Sequence, residues 1–407
     1  MSKPLQMNES EWRRLRSRAL ERLTRWVRYD SSSLRSNVEV NESIQDDLEG
    51  LGFDVEVDPM VDEFGTKKSN LIAWLSPKRT DRDSGEGLPE APSSGGVAYF
   101  CHSDVVPATE WEAPSGSDPF QAAVVDDRIY GRGTCDMKGS LAVFLSALES
   151  LAETTLTRPV WVVVTADEER GFGGARHVVK HSTAFAELRR AQPVAIIGEP
   201  TGCVPVHATK GVRLVRMRSR GVAAHSGTDE GTNATEAMIE VMSEVVALGK
   251  RLREQTRYFN DDFDPPHVSW NFGMVDANHA INVTPPMSEG WIFFRPMPGV
   301  DLEHEIVDLR SHCHRLGVQW NEEGGGDPMV VDADAEHIRR LERLTGHRSQ
   351  TVCYGTDAGE FAMLDRRVVL GPGDIAMAHR PDEYLAIAQI DRGITVYRDV
   401  LREFAGP

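Results

Sequence analysis

Residues 160–176 read VWVVVTADEERGFGGAR. Val160–Thr165 is apolar almost throughout and rich in β-branched side chains, so it reads as a strand buried on both faces. Asp167, Glu168 and Glu169 follow at once, then a glycine-rich turn. Apolar strands that end abruptly in carboxylates mark the carboxyl edge of a parallel sheet, where α/β proteins gather their binding and catalytic groups. Two other segments repeat the pattern. Val97–Cys101 runs into His102 and Asp104, and Val194–Ile197 runs into Gly198 and Glu199. Helical stretches, Gly139–Leu151 and Val178–Arg190, lie between them. Strands alternating with helices predict a mostly parallel sheet covered on both sides.

Toward the N-terminus, Glu11–Tyr29 reads as an amphipathic helix with Trp12, Leu15, Leu20, Leu23 and Trp26 near one stripe. Val38–Leu51 reads as a second helix stopped at Gly52. Phe53–Val57 and Asn70–Leu75 read as strands. Lys78–Gly96, rich in Pro, Gly, Ser and charge, is expected to be a surface loop. The pattern changes near Ala208. Val212–Ser219 alternates like a half-exposed strand, and Ala234–Arg253 is a long amphipathic helix. Strands His267–Phe272 and Gly290–Arg295, helix Leu302–Leu316 and strand Val318–Asn321 follow. That is the ferredoxin-like order, with one sheet face open. Helix Ala335–Leu344, a strand near Val368–Leu370 and a helix from Ile390 return to α/β character. The expected fold is α/β: a discontinuous domain, residues 1–208 and 328–407, with a mostly parallel mixed sheet, interrupted by an α+β domain at 209–327.

The chain has 407 residues, 63 acidic against 45 Lys and Arg, and a net charge of −18. This balance argues against nucleic acid and against anionic membrane surfaces as partners. No apolar run reaches the roughly 18 residues of a membrane span. Arg13, Arg14, Arg16 and Arg18 are followed by no apolar core of the signal-peptide kind, so a cytoplasmic location is expected. The five cysteines, Cys101, Cys135, Cys203, Cys313 and Cys353, are scattered and form no CxxC pair. A disulfide framework or thiolate metal site is therefore not expected.

The residues at the strand ends carry the chemistry. His102, Asp136 within GRGTCDMKG, Glu168 or Glu169, Glu199, and His379 after the Gly371–Gly373 turn form an oxygen and nitrogen donor set. Such a set suits zinc, and cobalt or manganese would also fit. These are too many ligands for one tetrahedral ion with an open position. They suffice for two ions about 3.5–4 Å apart that share a carboxylate. Adjacent Glu168 and Glu169 should point apart, leaving one free as a base. Other polar residues read as structural. Asp167 is expected to bond to local backbone, Asp126 and Asp127 to make a turn, and His177 and His181 to lie on a solvated helix face. His207, His267, His279, His312 and His314 are expected to be structural or exposed, and Cys101 and Cys135 to pack in the core. GFGGAR lacks the GxGxxG spacing of a phosphate loop.

Taken together, HSDVVP (102–107), GRGTCDMKG (131–139), TADEERGFGGAR (165–176), IIGEPT (196–201) and GPG…AHRPDEYL (371–385) resemble the acetylornithine deacetylase, succinyl-diaminopimelate desuccinylase and aminoacylase family of co-catalytic zinc hydrolases. The resemblance runs in order along nearly the whole chain and is nearest to the acetylornithine deacetylase branch. It implies one zinc on His102 and Glu199, a second on Glu169 and His379, and Asp136 bridging them. It implies that Asp104 orients His102, that Glu168 is the general base, and that the Asp136–Met137 peptide is cis. In the inserted domain, His225 of GVAAHSG matches a histidine that stabilises the oxyanion, in dimeric relatives across the subunit boundary. Asn282 and Arg295 match contacts to the substrate carboxylate, and Gly355 and Thr356 match a loop lining that pocket. The implied reaction is hydrolysis of an N-acyl amino acid by a cytoplasmic homodimer, with N2-acetyl-L-ornithine as the leading substrate. N-succinyl-LL-diaminopimelate, a general acylamino acid or dipeptide, and a catalytically silent binding protein are the alternatives.

Overall fold

The computed structural model describes residues 8–77, 94–114, 116–152, 156–278 and 280–407. Residues 78–93 of the expected Lys78–Gly96 loop, and His279, lie outside the described residues. In chain order the helices are α1 (Glu9–Val27), α2 (Val38–Gly50), α3 (Lys138–Glu149), α4 (Gly173–His181), α5 (Thr183–Ala191), α6 (Ala234–Glu254), α7 (Glu303–Arg315), α8 (Glu336–Thr345) and α9 (Ile387–Ala405). The strands are β1 (Asp54–Val61), β2 (Lys67–Leu75), β3 (Val97–His102), β4 (Ala123–Val125), β5 (Arg128–Tyr130), β6 (Val160–Thr165), β7 (Val194–Ile197), β8 (Val206–Thr209), β9 (Val212–Arg220), β10 (Ser269–Asp276), β11 (Met287–Arg295), β12 (Gln319–Gly326), β13 (Gln350–Val352), β14 (Arg367–Val369) and β15 (Tyr384–Ala386). No helix among the described residues is long and apolar enough to cross a membrane.

The chain divides into two compact units, Met1–His207 with Val331–Gln350 and Thr356–Pro407, and Ala208–Val330 with Thr351–Gly355. Ala208, residues 328–330 and Thr351–Gly355 thus group with the second unit, not with the first as the sequence pattern suggested. The reason is local pairing: Lys210 N–H reaches Val352 O, and Thr209 N–H reaches Met329 O.

The first unit is built on an eight-stranded sheet in the order β1-β2-β6-β3-β7-β14-β8-β13. β6, β3, β7 and β14 run parallel, while β1, β2 and β8 pair antiparallel. Every residue of β3, β6 and β7 is buried, because both faces are covered. Alternate residues serve different layers. Val97, Tyr99, Val162, Val164 and Ile196 join the core formed with α1, α2, α3 and α9. On the opposite face Phe100 packs against Phe361, which also meets Phe185 of α5. The chain leaves β3 for β6 on one side and then crosses to β7 on the other. β3 is therefore the topological switch point, and its carboxyl end is where such sheets place a ligand.

Local chemistry explains the element boundaries. Asn8 caps α1 by accepting Glu11 N–H at 2.9 Å. The helix expected over Val178–Arg190 is two helices, because Ser182 takes an extended conformation and its hydroxyl accepts Phe185 N–H at 2.9 Å.

The second unit has a four-stranded antiparallel sheet in the order β10-β11-β9-β12. With helices α6 and α7 it has the ferredoxin-like arrangement. Burial alternates strictly along β11. Val215, Met217, Ile292 and Phe294 face the core with Met238, Val245 and Leu309. The opposite face carries cross-strand ion pairs, Arg218 with Glu289 and Arg216 with Glu323, each 2.8 Å from nitrogen to oxygen.

Candidate metal centre and active site

Three sheet strands deliver acidic and imidazole groups to one place. His102 closes β3, Glu168 and Glu169 follow β6, and Glu199 follows β7. Gly198 sets Glu199: a side chain there would collide with the Tyr99 hydroxyl. Asp136 enters from the loop before α3 and His379 from the loop before β15. The Asp136–Met137 peptide is cis.

Asp136 divides its carboxylate between two imidazoles. Its Oδ1 lies 3.1 Å from His102 Nε2, and its Oδ2 lies 3.2 Å from His379 Nε2. His102 Nε2 is also 3.8 Å from Glu199 Oε1, and His379 Nε2 is 3.1 Å from Glu169 Oε1. Ligand atoms of His102, Asp136 and Glu169 lie within 4.8 Å of one another, as do those of His102, Glu168 and Glu199. The first imidazole is sealed while the second opens outward, with the His379 side chain 53% exposed.

The electrostatics of the cluster favour positive charge. Burial alone would lower His102, but its hydrogen bond with Asp136 and the charges of Glu168 and Glu199 raise it well above the ordinary imidazole value. Hydrogen bonds to Asp136 and Glu169 lift His379 to about 10. Burial would raise Asp136, yet contacts with both imidazoles hold it below the usual carboxylate range. Burial, reinforced by neighbouring carboxylates, raises Glu168, Glu169 and Glu199. Buried carboxylates crowded like this need positive charge, and without metal the imidazoles supply it as imidazolium. Divalent cations held by the same atoms would meet that need with neutral imidazoles, so the donor set fits metal.

Asp104 stands behind the cluster. Its backbone oxygen lies 2.9 Å from His102 Nδ1, which settles that nitrogen as donor and leaves Nε2 facing inward. Its carboxylate accepts Glu168 N–H at 3.2 Å, Glu169 N–H at 3.4 Å and the Ser33 hydroxyl at 2.9 Å. Asp167 was expected to bond to local backbone. Instead its Oδ1 lies 2.8 Å from Lys68 Nζ, a fully buried cation that also donates to Ser33 O and Arg35 O. His177 is likewise not simply solvated. Its Nδ1 is 2.8 Å from Asp58 Oδ2, and its ring lies 4.5 Å from that of His181. Cys101 and Cys135 are buried, as expected.

The remaining candidates are more dispersed. In the second unit His225 is exposed, its Nδ1 accepts Gly227 N–H at 3.0 Å, and neighbouring Ser226 N–H bonds to Asn282 O at 3.0 Å. Arg295 ends β11 with its guanidinium 5.3 Å from the Phe293 ring centre. Gly355 belongs to this unit, packed against Val212 and Lys210. In the first unit Thr356 is 2% exposed, and its hydroxyl accepts Ala358 N–H at 3.1 Å, capping a short turn.

That turn presents Asp357, which the sequence did not single out for a role. Its Oδ2 accepts the Thr165 hydroxyl at 2.5 Å, and burial pushes the carboxyl up to about 7 against the pull of Thr165 and His102. Glu383, inside AHRPDEYL, was also missed. It is fully buried and accepts Asp136 N–H at 3.1 Å. An acidic residue in a loop motif carries no local signal of burial, so neither could be chosen from the sequence.

Comparison with known proteins shows the family. The profile of peptidase family M20/M25/M40 matches residues 98–403. The chain is 32% identical over 372 residues to an acetylornithine deacetylase of Proteus mirabilis, covering 89% of each. It is 33% identical over 398 residues to one from Myxococcus xanthus, covering 94% of this chain and 97% of the other. An M20 family metallo-carboxypeptidase from Sulfolobus solfataricus shares the fold, with a TM-score of 0.72 at 17% identity over 97% of this chain and 99% of that one.

Proposed function

The chain belongs to peptidase family M20/M25/M40, a family of metal-dependent amidohydrolases, and from that premise we propose that it removes the acetyl group from N2-acetyl-L-ornithine with two zinc ions per subunit. The observation that carries the two-ion reading is the Asp136 carboxylate, whose oxygens face His102 and His379 separately. The ornithine substrate rests on the names of the relatives.

His102 and Glu199 would hold one ion, Glu169 and His379 the other, and Asp136 both. The paired ions, when bound, supply Lewis-acid activation of water and of the scissile carbonyl. Glu168 is the general base. It takes a proton as water's oxygen bonds to the acyl carbon, and returns it to the nitrogen as the C–N bond breaks, giving acetate and the free amine. Asp104 holds His102 and the Glu168–Glu169 backbone in place. We assign His225 to the oxyanion, and Asn282, Arg295, Gly355 and Thr356 to the substrate, on the family resemblance. Arg suits a substrate carboxylate because its planar fork can bond both oxygens. We also place the enzyme in the cytoplasm as a homodimer formed through the second unit, where Ile239 and Val246 of α6 and Val275 of edge strand β10 are exposed apolar groups.

The test is acyl release by zinc-loaded protein from N2-acetyl-L-ornithine, N-succinyl-LL-diaminopimelate and N-acetyl-L-methionine, with and without chelator. Chelator-sensitive acetate release highest on the ornithine substrate is expected. Preference for the succinyl compound would replace the substrate and keep the metal site. Turnover unaffected by complete metal removal would end the metal assignment.

A further inference from the structure

Glu383 is a carboxylate placed where water cannot reach it, 0% exposed. Its Oε1 accepts three backbone N–H groups of one loop: Gly133 at 3.1 Å, Cys135 at 2.9 Å and Asp136 at 3.1 Å. Its Oε2 lies 2.7 Å from the Arg132 guanidinium. A buried carboxylate tolerates such a position only when its oxygens are satisfied this fully. Lys138, also buried, feels the charge of Glu383, which offsets part of the lowering that burial causes.

The strand pairing explains how Glu383 gets there. β15 runs antiparallel to β5, with Tyr384 opposite Tyr130. At that end of the pair β5 runs on into the loop of Asp136, and the loop of His379 leads into β15. Gly131 N–H bonds to the Glu383 backbone oxygen at 3.2 Å, so side chain and main chain of Glu383 both grip the Gly131–Asp136 segment. His379 lies four positions before Glu383. Glu383 thus ties together two loops distant in sequence, one carrying Asp136 and one carrying His379.

We propose that Glu383 is a positioning residue: by clamping the backbone of the Gly131–Asp136 loop beside the loop of His379, it aims the Asp136 carboxylate between the two imidazoles. The inference rests on the metal-site reading above. Aim matters there because a bridging carboxylate must present both oxygens at once, and a small rotation of its backbone would favour one imidazole over the other.

Glu383→Gln tests this at nearly constant volume. The amide can replace only one carboxylate oxygen as acceptor, and its NH2 faces either Arg132 or the loop amides, which are all donors. In the zinc-loaded variant kcat should fall about 10–100-fold with KM within about twofold, the range seen when groups behind metal ligands are lost. In the cobalt-loaded variant the visible absorption band should change in position or intensity. Glu383→Asp should recover part of both. A lowered melting temperature with wild-type kcat and cobalt spectrum would make Glu383 a fold-holding residue only and overturn the proposal. If Glu383→Gln does not fold, Arg132→Lys, which removes the guanidinium and leaves the three amide contacts, should shift the cobalt spectrum in the same direction by less. An unchanged spectrum there overturns the proposal too. The cobalt spectrum needs no substrate. A chain that turns over no acyl amino acid, yet shows the spectral change, would fail the proposed function and keep this inference.

Discussion

The two sheets of this molecule solve the burial problem differently. In β3, β6 and β7 every side chain is buried, while along β11 buried and half-exposed residues alternate. A strand sealed on both faces can present polar chemistry only at its ends. His102, Glu168, Glu169 and Glu199 are therefore concentrated on one sheet edge, where their charges act on one another. A strand with an open face can carry polar groups along its length, and the second sheet does so with Arg216, Arg218, Glu289 and Glu323 in surface pairs. Concentrated charge follows from the first design and a polar outer face from the second.

Replacing a strand-end group tests the contrast most severely. Glu168→Ala is expected to lower turnover by about 10²–10⁴-fold, the usual contribution of a general base, while bound zinc stays at the wild-type ratio. Near-normal turnover with full metal content would remove Glu168 from the mechanism.

Next in size is the stability difference between the sheets. Phe100→Ala, in the doubly covered sheet, should cost about 3–5 kcal/mol in chemical denaturation. Arg220→Ala, exposed at the end of β9 in the second sheet, should stay within about 0.5 kcal/mol. Equal losses would mean the second sheet is as covered as the first.

The titratable groups around the site also predict a pH dependence for the metal-free chain. Asp357 is pushed up to about 7, so between about 4 and 7 the folded chain keeps a proton that the unfolded chain has released. Stability falls as pH rises through that window. His379 is raised to about 10, so its contribution is complete below about 6.5 and is lost as pH rises through 10. Both effects have the same sign. The melting temperature in chelator should decline from about pH 4.5 to 9, Asp357→Asn should flatten the acid half, and saturating zinc should flatten the alkaline half. A level profile in chelator would contradict the electrostatic reading of the site.

The second unit's outer surface is tested by assembly rather than by turnover. Ile239→Asp should shift the protein from dimer to monomer in light scattering at micromolar concentration, with metal content unchanged. A wild-type monomer would exclude the proposed dimer directly.

Much of this was legible in the sequence, and the reason is locality. An apolar run followed by carboxylates declares both a buried strand and its functional end within about ten residues, so VWVVVTADEE, FCHSD and IIGE could be read one by one. Period-two alternation in Val212–Ser219 declared the half-open sheet in the same way. What only the tertiary structure decided are partnerships across long chain separations. Lys68 reaches Asp167, Thr165 reaches Asp357 across 192 positions, and Glu383 reaches Asp136 N–H across 247. A carboxylate on a loop looks the same in sequence whether water or three backbone amides surround it. Folding alone removes the water, and only then do partners distant in sequence determine what the residue does.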